Sequence, residues 1–166
     1  MFLVDLLYNS MIYQMEPNKN EFIVRRLNRK DSSIAQQLFL VLQEVFAIKS
    51  SSIASNEQVN TLLKNASFIC FAAIYKDEVV GGLTAYELSM YHSAYSELFI
   101  YDIAVKPEFQ RMGLGKKLII AAKDYCKENK IAQLFVDASE NDNHALDFYR
   151  TMNMREEKVI QFTFDQ

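Results

Sequence analysis

Apolar residues recur every three or four positions in two long segments of the chain, from Ile34 to Ile48 and from Leu114 to Tyr125. At that spacing the apolar side chains share one face of a helix, so the sequence predicts two amphipathic helices. Asp31 precedes the first of them and is predicted to be its N-cap, because its carboxylate can accept hydrogen bonds from free helix N–H groups.

Runs rich in β-branched and aromatic residues predict the strands of a sheet. They cover residues 22–27, 68–75, 79–88, 97–105, 131–139 and 156–164. The tight turn at 76–78 joins the second and third as an antiparallel hairpin. The helix that starts at Leu114 separates the strands at 97–105 and 131–139, so these two strands should run parallel to each other.

The order of these elements predicts one mixed α/β domain, of the α+β kind. Two shorter helices over 57–65 and 142–152 complete it, and the sheet should be mostly antiparallel with one parallel pair. We place the domain at residues 21–166, because residues 1–20 read as a semi-ordered leader that ends in a turn-like segment. A chain of 166 residues has the usual length of a single domain.

Composition narrows the classes of partner. Half of the chain is apolar. The net charge is −3, and this negative charge argues against nucleic acid as the principal partner and is compatible with a cationic substrate. No apolar stretch approaches the roughly 20 residues that cross a bilayer, so we expect no membrane partner and a cytoplasmic location.

Cys70 and Cys126 lie in apolar surroundings, and His92 and His144 read as isolated loop residues. We therefore expect buried free thiols and no metal site.

The segment Gln110-Arg-Met-Gly-Leu-Gly115 lies directly between a predicted strand and a predicted helix. Its glycines allow the backbone to turn sharply and to approach a ligand, and the first N–H groups of the helix have no acceptor within it. The helix dipole and the side chains of Arg111, Lys116 and Lys117 add positive potential, so a diphosphate would bind there without a metal. Two glycines one residue apart also occur in ordinary strand–helix turns, and the residues alone leave that alternative open.

Two segments together resemble the sequence signatures of the GNAT acetyltransferase superfamily. The first is Val105 to Gly115, which contains the acyl-CoA-binding pattern Gln-x-x-Gly-x-Gly after a strand. The second is Ala145-Leu-Asp-Phe-Tyr149, followed by Asn153 where the family usually has glycine. Within the superfamily the chain is most similar to the aminoglycoside 3-N-acetyltransferases, over residues 71–73, 79–86, 97–105 and 155–157 and at Asp142.

The resemblance implies a GNAT-like acyl-CoA N-acyltransferase fold, in which the parallel strand pair is splayed and flanked by helices, and acetyl-CoA as the cofactor. The pantetheine arm would lie between the splayed strands and the pyrophosphate at the glycine loop. The cofactor-binding residues that it implies are Ile103, Ala104, Val105, Gln110, Arg111, Met112, Gly113, Leu114, Gly115, Lys116 and Asp142. For Asp142, a helix cap is the alternative role.

Asp102 is the candidate catalytic base. It is an aspartate within an apolar strand, and simple alternation places it on one face with Leu98, Ile100 and Ala104. An unpaired carboxylate in such surroundings is costly and has a raised pKa, which suits proton removal or the binding of an ammonium group. A carboxylate that pairs with an arginine, or that caps amides at a strand bulge, is the structural alternative. In the resemblance this position matches an acidic residue near the substrate amine.

Tyr149 is the second catalytic candidate, because it matches the superfamily tyrosine that faces the CoA sulfur, where a phenol can protonate the departing thiolate. A core aromatic on an amphipathic helix is the alternative.

We assign Tyr101, Asp102, Asp137 and Glu140 to substrate binding. Acidic residues near strand ends either converge into a negative cleft that attracts a polycation or are solvated loop charges. They are Glu87, Glu97, Asp137, Glu140 and Asp142.

The resemblance implies an N-acetyltransferase that moves an acetyl group from acetyl-CoA to a primary amine of a small cationic substrate, an aminoglycoside at its 3-amino group, and so confers antibiotic resistance. The alternatives are an acetyltransferase for a peptide, a protein or a polyamine, and a CoA-binding module without activity. The resemblance also implies a homodimer. The last predicted strand and the tyrosine-rich loop at 89–96 are the candidate dimer surfaces.

Overall fold

Five strands form one sheet in the order β1-β2-β3-β4-β5 in the computed structural model, which describes residues 21–49 and 54–165. The strands are β1 (Phe22–Arg26), β2 (Phe68–Tyr75), β3 (Glu78–Ser89), β4 (Ser96–Val105) and β5 (Ile131–Val136). The helices are α1 (Ser32–Val45), α2 (Asn56–Lys64), α3 (Leu114–Glu128) and α4 (Asn143–Thr151). The predicted leader over 1–20 lies outside the described residues.

Neighbouring strands are antiparallel except β4 and β5, which are parallel as predicted. The parallel pairing extends only from Ser96 to Ile100 on β4, whereas β4 itself continues to Val105. The strand predicted over 131–139 ends at Val136. Along residues 101–105, β4 therefore has no strand partner on its β5 side within the described part of the chain, and the two strands diverge.

Helices cover both faces of the sheet and create two layers of core. The apolar stripe of α3 packs on one face, where Leu98, Ile100 and Leu118 are fully buried. The helices α1 and α2 pack on the other face against residues such as Cys70 and Ala104. Both predicted amphipathic helices are thus confirmed, and each positions one wall of the region where β4 and β5 separate.

Polar side chains meet the starts of α2 and α1 in two different ways. Ser55 caps α2 in a reciprocal capping box with Gln58. Asp31 occupies the cap position of α1, but its side chain does not bond the helix, so the predicted capping bond is wrong. Its carboxylate instead accepts hydrogen bonds from the Arg25 guanidinium at 2.8 Å and from the Asn28 amide at 2.9 Å. This bond with Arg25 lowers the pKa of Asp31 and ties the helix start to β1.

The strand predicted over 156–164 is absent from the described structure. These residues follow α4 without regular secondary structure, and the exposed fraction of their apolar side chains runs from 74% at Val159 to 100% at Phe164. The prediction is wrong because alternation makes a strand only where a neighbouring strand supplies hydrogen-bond partners. The outer edge of β5 does not pair with this segment.

The remaining structural expectations concern thiols and membranes. Cys70 and Cys126 are free and buried as predicted, and burial raises the pKa of their thiols to about 12 and about 11. Both cysteines therefore stay protonated and are poor nucleophiles at neutral pH. No helix within residues 21–49 and 54–165 has the length and apolar character needed to cross a bilayer.

Candidate active site

A cavity of about 660 Å³ opens where β4 and β5 diverge. Its walls come from the end of β4, the loop into α3, the end of β5, the helix α4 and the end of α1. Most of the predicted site residues line it: Tyr101, Asp102, Ile103, Ala104, Val105, Gln110, Arg111, Gly113, Leu114, Gly115, Lys116, Asp137, Asp142 and Tyr149. Two do not. Met112 packs against the α3 side of the core, and Glu140 is exposed in the turn before α4.

The loop between β4 and α3 leaves the start of the helix open. The side-chain amide of Gln110 donates a hydrogen bond to the Val105 carbonyl at 3.0 Å, which holds the loop against the end of the strand. Gly113 then turns the chain into α3 with φ +85°, a left-handed conformation that favours glycine. No side chain of the described residues caps this end, so its N–H groups are available to an anion that enters the cavity.

The second glycine of the loop has a different function. A Cβ atom at Gly115 would lie 3.1 Å from Cζ of Phe148 on α4. Glycine therefore allows α4 to approach the first turn of α3 closely. This contact brings Tyr149, the next residue on α4, into the wall of the same cavity.

A bulge in β4 determines where Asp102 faces. Ile100 pairs with Ala85 and Asp102 pairs with Thr84, so Tyr101 is an extra residue in the ladder. Beyond the bulge the alternation shifts by one position. Asp102 consequently lies on the α1 face with Ala104, whereas Ile100 is buried on the α3 face. The predicted common face with Leu98 and Ile100 is wrong, and the common face with Ala104 is confirmed.

The Asp102 carboxylate is half-buried and has one hydrogen bond, which Thr84 Oγ1 donates at 3.2 Å. Burial raises the pKa of Asp102 above its usual range, and the bond from Thr84 opposes that effect in part. No lysine or arginine of the described residues forms an ion pair with it, so the alternative of an arginine partner is not found there. The carboxylate faces the cavity with capacity for a cationic or proton-donating ligand.

Tyr149 lies partly buried on α4, and its ring centroid is 5.2 Å from that of Phe148. Burial raises the pKa of Tyr149 to about 12, and the negative charge of Asp142 acts in the same direction. The hydroxyl therefore keeps its proton throughout the physiological pH range. The residue packs against the core and also lines the cavity.

The acidic residues converge only in part. Asp137 and Asp142 line the cavity together with Asp102. Asp142 also caps α4, because its Oδ1 accepts a hydrogen bond from the Ala145 amide at 2.9 Å. The predicted convergence fails for the three remaining acids, Glu87, Glu97 and Glu140.

Glu87 shows why sequence position alone does not place a carboxylate. It accepts hydrogen bonds from Ser96 Oγ at 2.6 Å and from Tyr125 Oη at 3.5 Å. Tyr125 belongs to the core on the α3 face, so Glu87 lies on the opposite side of the sheet from Asp102.

Several lining residues were not anticipated from the sequence. The sequence gives His144 no function, as an isolated loop residue at the start of the helix predicted over 142–152, but its side chain lines the cavity from the first turn of α4. Val45 and Phe46 reach the cavity from the end of α1, and Val45 belonged to the apolar stripe of that helix. No signal in the sequence distinguished Phe46, because its role depends on where α1 ends against the sheet.

These features fit a coenzyme A derivative. The open helix start accepts a pyrophosphate, and Arg111 and Lys116 contribute positive charge at the same loop. The unpaired edge of β4 at residues 101–105 can pair with an extended amide-bearing arm. The cavity is large enough to hold an acyl chain and part of an acceptor.

Comparison with known proteins agrees with this geometry. The model of the acetyltransferase (GNAT) family matches residues 36–154. One similar structure is that of the aminoglycoside acetyltransferase meta-AAC0020, from an uncultured soil metagenomic sample, in complex with trehalose. Its sequence is 37% identical, 89% of this chain and 97% of that chain are covered, and the TM-score is 0.85. The structure of meta-AAC0020 in complex with sisomicin is 36% identical, with the same coverage and TM-score.

Two further relatives extend the comparison. The aminoglycoside acetyltransferase HMB0005, also from an uncultured soil metagenomic sample, is 29% identical, with coverages of 87% and 98% and a TM-score of 0.80. The aminoglycoside N-acetyltransferase AAC(6')-Iy in complex with CoA is 15% identical, with coverages of 87% and 95% and a TM-score of 0.70, which shows a common fold alone. No protein with a curated description matches the chain. Because the family model matches most of the domain and meta-AAC0020 is 37% identical over 89% of this chain, the chain belongs to the GNAT family of acetyl-CoA-dependent N-acetyltransferases.

Proposed function

We propose that this enzyme acetylates a primary amine of a small polycationic substrate, an aminoglycoside at its 3-amino group. The observation that carries the proposal is the half-buried Asp102 carboxylate, which faces the cavity and has no cationic partner among the described residues. A carboxylate of this kind binds an ammonium group or removes its proton. Asp137 and Asp142 in the same cavity add negative potential that attracts a polycation.

The relatives support an aminoglycoside over other amines. The protein in complex with sisomicin is 36% identical to this chain, and HMB0005 is also an aminoglycoside acetyltransferase. The assignment of the 3-amino group rests on the similarity of residues 97–105 and 79–86 to the aminoglycoside 3-N-acetyltransferases. Acetylation removes the charge of an amine, so we also propose that the activity protects a bacterium from such antibiotics.

Acetyl-CoA, when bound, supplies the acetyl thioester and a thiolate leaving group. The residues at the start of α3, with Arg111 and Lys116, would hold its pyrophosphate. We assign the main-chain N–H of Ile103 or Val105, on the unpaired edge of β4, as the donor that polarises the acetyl carbonyl. Asp102 accepts the proton of the amine at a carboxylate oxygen, directly or through water.

Tyr149 completes the proposed site as a hydrogen-bond donor. A phenol with a pKa of about 12 is a weaker acid than a thiol, whose pKa is about 8.5. Full proton transfer to a thiolate is therefore uphill, and Tyr149 stabilises the developing negative charge chiefly by donating a hydrogen bond from Oη.

Steady-state release of free thiol, measured against aminoglycosides, spermidine and a lysine peptide, tests the proposed function. Asp102→Asn should lower kcat/KM for the preferred amine by at least about 100-fold, on the scale of a lost general base, and leave acetyl-CoA affinity nearly unchanged. Asp124→Asn is the matched control, because Asp124 is an exposed carboxylate on α3 that pairs with Lys127 outside the cavity. Comparable turnover by the two variants would eliminate the role of Asp102, and a preference for the peptide would replace the aminoglycoside assignment.

A further inference from the structure

We infer that the acceptor part of the cavity has an aromatic wall, formed by Tyr101 on β4 and Phe46 at the end of α1, which selects amines carried on a saturated ring. The inference rests on the proposed function and names the class of acceptor that the same site prefers. Its starting point is that two exposed aromatic rings line the cavity that contains Asp102.

The bulge in β4 turns Tyr101 toward solvent. As the extra residue between the Ile100 and Asp102 pairs, it is not buried under either layer of helices and is 65% exposed. A large exposed aromatic side chain next to a half-buried carboxylate contributes little to the core. Its position instead suits a ligand that covers the ring and contacts the carboxylate together.

Neighbouring rings hold Tyr101 in place despite its exposure. Its ring centroid is 5.9 Å from that of Tyr86 and 6.1 Å from that of Phe99, both in edge-to-face geometry. Phe99 in turn stacks on Phe135 of β5 at 5.1 Å. Because these contacts fix the orientation of Tyr101 before any ligand arrives, binding against it costs less side-chain entropy than binding to an unsupported tyrosine.

Phe46 supplies the second ring. It follows the last residue of α1, is 45% exposed and lines the same cavity. The helix α1 packs on the face of the sheet that carries Asp102. The carboxylate and the two rings are therefore contributed by adjacent elements on the same side of the sheet.

This combination favours a ring-borne amine. A saturated ring presents C–H groups that pack against aromatic faces, and its ammonium groups are attracted to those faces as well as to Asp102. An acyclic polyamine of similar charge satisfies the carboxylate, but it has no rigid apolar face and loses more conformational freedom on binding. The aromatic wall therefore discriminates between two cations that the negative charge of the cavity alone would accept.

Kinetics with one cyclic and one acyclic amine test this inference. We would measure kcat and KM for sisomicin and for spermidine with the wild-type enzyme, Tyr101→Leu, Phe46→Leu and Tyr101→Phe. Tyr91→Leu is the control, because Tyr91 is a fully exposed tyrosine in the loop between β3 and β4 that does not line the cavity. Thermal melts establish that each variant is folded, and KM for acetyl-CoA reports on the other half of the site.

Tyr101→Leu and Phe46→Leu should each lower kcat/KM for sisomicin by about 10-fold, mostly through KM, which is the scale of a cation–π contact. Their values for spermidine and their KM for acetyl-CoA should change less than about 2-fold. Tyr101→Phe keeps the ring and should retain a higher kcat/KM for sisomicin than Tyr101→Leu, and Tyr91→Leu should match the wild type. Equal losses for both amines, or no loss for sisomicin, would reject the aromatic wall while leaving the proposed function standing. A wild-type enzyme that acetylates neither amine would instead reject the proposed function, and this inference with it.

Discussion

Asp102 has opposite consequences for folding and for chemistry. Its carboxylate is half-buried, with one hydrogen bond from Thr84, and burial raises its pKa. Because the folded state binds the proton more tightly than the unfolded chain does, ionisation of Asp102 at neutral pH lowers the stability of the fold. The same raised pKa makes the carboxylate a stronger base toward an ammonium group. Functional sites commonly retain such a cost to stability.

Asp102→Asn should therefore raise the thermal midpoint at pH 7 while it abolishes most of the activity. The asparagine keeps an acceptor for Thr84 and removes the buried charge. The gain should shrink as the pH falls toward 3, because the wild-type carboxyl is then neutral in both the folded and the unfolded state. Differential scanning calorimetry at both pH values measures this, with Asp124→Asn as a control that should gain nothing. A lower midpoint for Asp102→Asn at pH 7 would mean that the charge has a stabilising partner.

Tyr149→Phe should lower kcat by about 100-fold, at the lower end of the range for a lost hydrogen-bond donor to developing negative charge, with little change in KM for the amine. Since the pKa of Tyr149 is about 12, the phenol should produce no alkaline limb in the pH–rate profile below pH 10. A pH series of kcat for both enzymes checks this, and an unchanged kcat for Tyr149→Phe would return the residue to a packing role alone.

The candidate catalytic residues could be predicted from the sequence, whereas several residues that line the cavity around them could not. Asp102 and Tyr149 could be singled out because a carboxylate in an apolar strand and a tyrosine in a known motif are distinctive by themselves. Phe46 and His144 could not, since their place in the cavity depends on how the ends of α1 and α4 meet the sheet. Glu87 looked like an acid of the cleft, and its bonds with Ser96 and Tyr125 place it on the other face.

At the scale of elements, the loop into α3 and the bulge in β4 organise the cavity. Gly113 leads the chain into α3 and leaves the helix start without a side-chain cap. The bulge at Tyr101 turns Asp102 onto the α1 face. The first feature was predictable, because glycine at a strand–helix turn has a local backbone cause. The second was not, because a bulge is a property of the pairing between β3 and β4, which no single strand encodes.

Gly113→Ala should weaken acetyl-CoA binding. Nothing lies within 4 Å of a Cβ at this position, so the cost comes from the φ of +85° alone, and relaxing it would tilt the first N–H groups of α3. Asn153→Ala is a matched control, because Asn153 also has a positive φ, of 55°, but lies after α4 outside the cavity. Both variants should lose about 1 kcal/mol of stability.

Titration calorimetry with acetyl-CoA distinguishes the two variants. Only Gly113→Ala should raise Kd, by about 10-fold, a value that corresponds to about 1.4 kcal/mol of binding free energy. Equal affinities in the two variants would show that the turn at Gly113 matters for folding and not for the ligand.

The segment after α4 exposes its apolar side chains and pairs with no strand of the described residues. The alternation at 156–164 looked like a sixth strand, yet its apolar side chains are exposed and the outer edge of β5 is unpaired within the described residues. An open strand edge and several exposed apolar side chains in one short segment favour association. The homodimer that the resemblance implies remains a prediction, and this segment is one of its two candidate surfaces.

Light scattering coupled to size-exclusion chromatography should give the mass of a dimer for the wild type. The double variant Phe162→Glu with Phe164→Glu should shift the mass toward that of the 19.3 kDa monomer, because charged side chains are costly to bury in an interface. Tyr91→Glu, in the exposed loop between β3 and β4, tests the other candidate surface. A monomeric wild type at micromolar concentration would reject the dimer.

The proposed reaction requires that acetyl-CoA and a polycationic amine meet at Asp102, where one acetyl group passes from the thioester to the amine and free CoA is released. Mass spectrometry and NMR of sisomicin, after incubation with acetyl-CoA and the enzyme, test it most directly. We predict that the wild type adds one acetyl group, on the 3-amino nitrogen, and that Asp102→Asn leaves sisomicin unmodified over the same time. Unmodified sisomicin with the wild type would rule out acetylation of this amine, and equal acetylation by Asp102→Asn would rule out Asp102 as the base.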